Sequence, residues 1–513
     1  MLKVLIKCIV GILILTLNYD IAYAENNEIT TNYAEIDSYV EKEMEQCRIP
    51  GFALGIVKNN EIIYLKGYGY ADSSGREVTP QTPFLIASLS KSFTAMAIMQ
   101  LVDEQKLDLD KPVQTYIPWF RVSDLQASSE ITVRQLLNHT CGIGADAEYE
   151  IATLRGDDTN IEQFVRKMSK IKLTKKVGES FQYNNANYII LGQIIQSISG
   201  LSYENYMKQK VFQPLGMLHS YVSQDEAKKD GMAVGYRTMF GIPVPVELPY
   251  RRDFLPTYSI ISCSEDISKY LIALLNNGNY NNSQVLSEQG VTELMMPSSK
   301  ISDWQSYGLG WYVTSGSVYH GGEVTNYQSK AKMIPEDSLG VILMYNTSSS
   351  TLTKLFKSGY RDRIESGIIS ILYGYEPDEV QPGARLFDLN RYPMSATYSI
   401  YIILCTLIVM ILVLSVIRLK SFKKRLVTGK KSSWRFVFIG LINFALPLYI
   451  LFIIPESENF SWRFILYYVP DIGYFTLLTC IAALIIGIIK LVISYRLSAS
   501  NSDVLQIGRI IEK

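Results

Sequence analysis

The chain has 513 residues, of which 48% are hydrophobic and 19% charged. That is enough for a large core and a second region besides. Lysine plus arginine number 49 and aspartate plus glutamate 49, for a net charge of +0. The chain therefore lacks the basic excess of a nucleic-acid-binding protein.

The N-terminus has the form of an export signal. Lys3 precedes the apolar stretch 8–17, and Ala22-Tyr23-Ala24 puts small residues where a signal peptidase reads them, so residues 1–24 are expected to be removed. Residues 25–375 then form an exported domain. Apolar residues at helical spacing predict a helix over 37–47. Alternating runs at 52–57 and 62–68 around Asn59-Asn60 predict a hairpin. A short apolar run at 84–86 leads into a helix from Ser88 to about Asp103, and 187–199 reads as a second amphipathic helix. Strands are expected at 310–314, 318–320 and 332–344, the last broken by a turn at 335–339. Strands at both ends with helices between predict an α/β (α+β) fold, with the terminal strands in one antiparallel sheet beside a helical subdomain.

Past residue 375 the composition changes. Residues 376–396 carry Pro377, Pro382, Gly383 and Pro393 and read as a linker. Three apolar stretches follow, 397–417, 436–454 and 472–493. At about 1.5 Å per residue each is long enough for the roughly 30 Å hydrocarbon layer, so three transmembrane helices are expected. Between the first two lie Arg418, Lys420, Lys423, Lys424, Arg425, Lys430, Lys431 and Arg435, with no acid among them. The positive-inside rule makes this loop cytoplasmic. The domain 25–375 and the loop 455–471 then lie outside, and the tail 494–513 inside. Cys8, Cys47, Cys141, Cys263, Cys405 and Cys480 show no CxxC spacing, which indicates neither a zinc site nor a disulfide framework. One disulfide among Cys47, Cys141 and Cys263 stays open.

Three motifs carry chemistry. In Ser88-Leu89-Ser90-Lys91, positions i and i+3 share a helix face, so Lys91 can take the proton that makes Ser88 a nucleophile. The helix start offers backbone N–H groups to an oxyanion. In Tyr183-Asn184-Asn185, Tyr183 can relay a proton to a leaving group, and Asn185 can bond a substrate carbonyl or Lys91. In His320-Gly321-Gly322 the glycines let a substrate backbone lie close to a strand, and the next N–H, of Glu323, can pair with that of Ser88 as an oxyanion hole. The other two histidines, His139 and His219, sit in segments that look structural. No metal ligand set or cofactor motif is expected.

Tyr183 follows Ser88 by about 95 residues and His320 follows Tyr183 by about 137. This layout resembles that of serine β-lactamase-like enzymes of the class C-like branch, which includes peptidases, esterases and penicillin-binding proteins. Residues 131–142, Asn187-Tyr188, Pro214-Leu215-Gly216-Met217 and Tyr307-Gly308-Leu309-Gly310-Trp311 fit the same family. The resemblance covers roughly 30–375 and implies an acyl-enzyme on Ser88.

The whole architecture is also similar to the membrane-bound prodrug-activating peptidases of nonribosomal peptide pathways, the colibactin-maturing and zwittermicin types. His320 to Asn326 and Ser461-Trp462-Arg463-Phe464-Ile465-Leu466 carry that match. It implies removal of an N-acyl-D-asparagine cap from an acylated peptide during export. Asn326 would bond the substrate carboxamide. Membrane lipid would be a partner, an exporter could be another, and the place of work would be the outer face of a bacterial cytoplasmic membrane. Asn185 and Phe254 depart from the colibactin member, which has serine and histidine there, so the side-chain pocket differs. The alternative is a cell-wall D-stereospecific peptidase or penicillin-binding-protein-like hydrolase or esterase using the same residues.

Overall fold

The computed structural model describes residues 32–145, 147, 160–239, 242–247, 249–348, 360–377, 441–453, 473–489 and 492. Its centre is an eight-stranded antiparallel sheet. The strands are β1 (Gly51–Lys58), β2 (Glu61–Gly69), β3 (Ser299–Lys300), β4 (Gln305–Tyr307), β5 (Tyr312–Thr314), β6 (Ser317–Val324), β7 (Tyr327–Ile334) and β8 (Leu339–Tyr345), in spatial order β2-β1-β8-β7-β6-β5-β4-β3. The expected sharing of one sheet by both ends of the domain is met by β1 against β8, with Phe52 opposite Tyr345 and Lys58 opposite Leu339.

Local chemistry explains the hairpin. Asn59 and Asn60 both have positive φ, 50° and 65°, which asparagine tolerates better than most residues. Alternation along β1 then sorts its side chains between two cores. Phe52, Leu54 and Ile56 join one cluster with Ile36, Val40, Ile364 and Ile368. Ala53 and Val57 face the other, larger cluster.

The smaller cluster lies beneath α1 (Tyr33–Cys47), whose apolar positions Ile36, Val40 and Met44 recur every four residues and are buried. Each such burial stabilises by about 1.5–3 kcal/mol. The larger cluster is built on α2 (Ser90–Asp103), α3 (Ala186–Ser199) and α4 (Ser264–Leu275). A last helix, α5 (Tyr360–Leu372), returns to pack on α1. Helices thus cover both faces of the sheet.

Cys47, Cys141, Cys263 and Cys480 are free thiols. Among the described residues no helix is long and apolar enough to cross a membrane. The signal 1–24 and residues 378–440, which include most of the linker and the span 397–417, lie outside the described residues. Of 436–454 and 472–493, only 441–453, 473–489 and 492 are described. The three-helix part of the expectation gains no support from this structure.

Candidate active site

The nucleophile turn is narrower than the expected helix start. Ala87–Leu89 is a 3-10 turn, and α2 begins only at Ser90. Ala87 has φ +49°, a left-handed conformation that costs an alanine roughly 1–2 kcal/mol. Two serine side chains hold it in place. Ser90 Oγ donates to Ala87 O at 2.7 Å and accepts from Ile260 N at 3.1 Å. Ser329 Oγ of β7 donates to Ile86 O at 2.6 Å. From Thr82 to Met99 every residue is buried except Ser88, which is partly exposed. The turn presents one hydroxyl to solvent and nothing else.

Lys91 is 0% exposed. Its Nζ lies 3.1 Å from Ser88 Oγ, 2.7 Å from Asn185 Oδ1 and 3.1 Å from Thr257 O. These three partners are uncharged oxygens. A neutral amine could donate to the two carbonyl oxygens and turn its lone pair to the Ser88 hydroxyl, the arrangement a general base needs. Thr257 Oγ1 also donates to Asn185 Oδ1 at 2.7 Å, fixing that amide. The ring of Tyr183 lies 4.9 Å from Lys91 Nζ and that of Tyr188 5.7 Å. Ser88, Lys91, Tyr183 and Asn185 are therefore brought together.

β6 forms the other wall. The strand approaches the nucleophile turn so closely that a Cβ at Gly322 would lie 2.0 Å from Ile86 O. The paired glycines were expected to admit a substrate backbone; at Gly322 the close neighbour is the Ile86 carbonyl, which sets β6, the strand of Glu323, against the turn of Ser88. Among the described residues, pairing of β6 with β5 ends at Tyr319, while pairing with β7 continues to Val324. Residues 320–324 thus have a ladder partner on one side, leaving an edge that an extended substrate could join.

His320 and Asn326, both expected at the substrate, are buried. The His320 ring is 1% exposed. Its Nδ1 faces Gly321 O at 2.8 Å, so that nitrogen carries the proton, and Nε2 accepts from Tyr307 OH at 3.1 Å. Burial first, then the Lys91 charge, lowers its pKa to about 3. His320 is a neutral wall residue with both ring nitrogens engaged within the protein. Asn326 occupies the turn between β6 and β7, is 1% exposed, and donates from Nδ2 to Val246 O at 2.8 Å. Its Oδ1 has no partner among the described residues.

His139 and Thr257 enter the site without having been anticipated. His139 O accepts from Gln182 N at 2.8 Å, and His139 Nδ1 accepts from Asn184 N at 3.4 Å. The ring lies 4.5 Å from that of Tyr183. One residue thus clasps both neighbours of Tyr183. Burial, Lys91 and His320 push the His139 pKa well down. Thr257 contributes a main-chain carbonyl, which leaves no residue-type signal in a sequence. Among the described residues no cluster of histidine, cysteine or acid side chains could hold a metal.

Comparison with known proteins agrees with this geometry. The family described as Beta-lactamase matches residues 36–358. The chain belongs to the beta-lactamase family. Members of this family are serine hydrolases with this α/β fold. Among beta-lactamase-like relatives, Protein flp of Staphylococcus aureus (strain MRSA252) is 28% identical over 474 residues, covering 90% of each chain. The putative penicillin-binding protein PbpX of Bacillus subtilis (strain 168) is 28% identical over 328 residues, covering 64% of this chain and 78% of that one. The solved structure of the octameric penicillin-binding protein homologue from Pyrococcus abyssi superposes with a TM-score of 0.60 at 30% identity, covering 69% of this chain and 80% of that one.

Proposed function

We propose that this chain is a membrane-anchored serine hydrolase that cleaves an acyl bond following a D-residue through an acyl-enzyme on Ser88. The observation that carries the reading is the buried Lys91 Nζ, 3.1 Å from the one accessible hydroxyl of its turn. Ser88 Oγ attacks the acyl carbonyl as its proton passes to Lys91 or Tyr183. The N–H groups of Ser88 and Glu323 face the oxyanion. Tyr183 returns a proton to the departing amine, and water then attacks the ester to free Ser88. Anchoring rests on the three apolar stretches 397–417, 436–454 and 472–493. The match to Protein flp, which covers 90% of this chain, supports treating them as part of the same design.

The substrate we favour is an N-acyl-D-asparaginyl cap on a nonribosomal peptide or polyketide precursor, met at the outer membrane face during export. A fatty acyl chain gains about 0.8 kcal/mol per buried CH₂ in a bilayer, which concentrates such a substrate beside an anchored enzyme. The buried, unpartnered Oδ1 of Asn326 supports an amide-reading pocket. A second reading, a D-residue of cell-wall peptide, is favoured by the donation of Asn326 Nδ2 to Val246 O and by the likeness to a penicillin-binding protein.

Membranes carrying wild type or Ser88→Ala, given N-acyl amides of D-asparagine, L-asparagine and D-alanine, separate these readings. Cleavage of the D-asparaginyl compound alone, by wild type alone, supports the prodrug cap. Preference for D-alanine moves the function to the cell wall. Equal cleavage by Ser88→Ala ends both.

A further inference from the structure

The slot above Gly321 is filled by an arginine. A Cβ at Gly321 would lie 2.9 Å from Nη1 and 3.0 Å from Cζ of Arg361, in the first turn of α5. Nη1 donates to Gly322 O at 3.3 Å. The guanidinium is held from behind by a network of ion pairs. Its Nε lies 3.6 Å from Asp362 Oδ1, and Asp362 also receives Lys330 Nζ at 2.7 Å. Lys330 and Lys332 both reach Glu365. Lys330 stands directly opposite Gly321 in the ladder. Through these contacts α5 grips β7 by its carboxylates and β6 by Arg361. Burial opposes the charge on Arg361, and Asp362 and Glu323 more than offset it, so the group stays cationic.

The carbonyl of Gly322 and the N–H of Glu323 belong to one planar trans peptide, so they point in opposite directions. A cationic donor on the oxygen fixes that plane. It also draws electron density from the nitrogen and strengthens the N–H as a donor. We propose that Arg361 is a positioning residue that aims and polarises the Gly322–Glu323 peptide toward the acyl oxyanion. The proposal rests on the acyl-enzyme reading of Ser88. Its effect belongs to the step in which negative charge develops, and ground-state binding is left alone.

The test uses the full chain in membranes with Arg361→Gln and Arg361→Lys, assayed on an uncharged p-nitrophenyl ester and on the same ester bearing a carboxylate. Loss of an oxyanion donor itself costs about 10²–10³ in rate. Loss of the group behind it is expected to lower kcat about tenfold in Arg361→Gln, with KM within about twofold and equal losses on both esters. Arg361→Lys keeps a charge beside Asp362 but not the planar fork, so it should fold and lose about threefold in kcat. Wild-type kcat in both variants, a loss expressed in KM, or a loss confined to the anionic ester would overturn the proposal; the last would make Arg361 a substrate anchor. Ser88→Ala runs in parallel. If it still hydrolyses the ester, the acyl-enzyme reading has failed. If it is inert while both Arg361 variants are unimpaired, only the role of Arg361 has failed.

Discussion

Replacing Gly322 with alanine tests how tightly β6 is set against the nucleophile. The added Cβ would lie 2.0 Å from Ile86 O and 2.6 Å from Ser329 Oγ, whereas ordinary contact begins at 3.4 Å. The serine hydroxyl can rotate away, but the carbonyl is backbone and cannot. Strand or turn must therefore retreat by about 1.4 Å. Ile86 O is also the acceptor that ties the turn to β7, so the strained Ala87 would lose one of its supports. A misplacement of about 1 Å can cost 10²-fold in rate, and overpacking costs about 1–3 kcal/mol. We expect Gly322→Ala to lower kcat/KM by about 10² on a neutral ester, with a measurable drop in Tm. Gly321→Ala is the milder comparison: the nearest atoms to its Cβ belong to the Arg361 guanidinium, the far end of a flexible side chain, so its loss should not exceed the roughly tenfold expected for losing Arg361. Wild-type turnover in Gly322→Ala, or a larger loss in Gly321→Ala, would refute the claim that this contact sets the site.

Three further outcomes follow from the same geometry. Lys91→Ala and Tyr183→Phe should each slow acylation by about 10²–10⁴ in stopped-flow assays with a chromogenic ester; wild-type rates in both would remove the proposed acid–base chemistry. His139→Phe keeps a ring but orphans Asn184 N–H and Asn187 Nδ2, which lie 3.4 Å and 3.2 Å from Nδ1. It should cost about 1–3 kcal/mol in denaturant unfolding and lower kcat by displacing Tyr183; an unchanged unfolding midpoint and kcat would refute the clasp. His320, held at a pKa of about 3 against an ordinary 6.5, takes a proton later on acidification than the unfolded chain does. Between these values the unfolded state binds more protons, so acidification removes stability, by about 1.4 kcal/mol per pH unit for this ring. His320→Gln should flatten the stability profile between pH 6 and 4 in unfolding titrations, and a parallel profile would contradict the assigned burial.

Much of the fold was legible where local chemistry and tertiary packing agree. The Asn59-Asn60 hairpin and the helix ending at Ser199 fall within a residue or two of their expected bounds. β6 was expected to end at His320, yet it continues through Gly321 and Gly322 to Val324, because the ladder with β7 supplies what glycine's weak strand preference does not. Ser88 was placed on a helix, and its 3-10 turn was hidden because what holds Ala87 is tertiary: Ser329 lies 243 residues from Ile86. α4 and α5 were not anticipated, although α4 has apolar positions Ile267, Leu271 and Leu274 on one buried face. In the site, Ser88, Lys91, Tyr183 and Asn185 were legible because their chemistry requires those side chains at those spacings. Thr257 was not, since it acts through its backbone, and neither was Arg361, which reaches β6 from 39 residues away.

The central claim is that Ser88 forms the acyl-enzyme. It is tested most directly by labelling membranes with a fluorophosphonate and with a tagged penicillin, then mapping the adduct by peptide mass spectrometry. The account predicts one modified residue, Ser88, with label lost in Ser88→Ala and slowed in Lys91→Ala. Modification of a different residue, or undiminished labelling of Ser88→Ala, would contradict it.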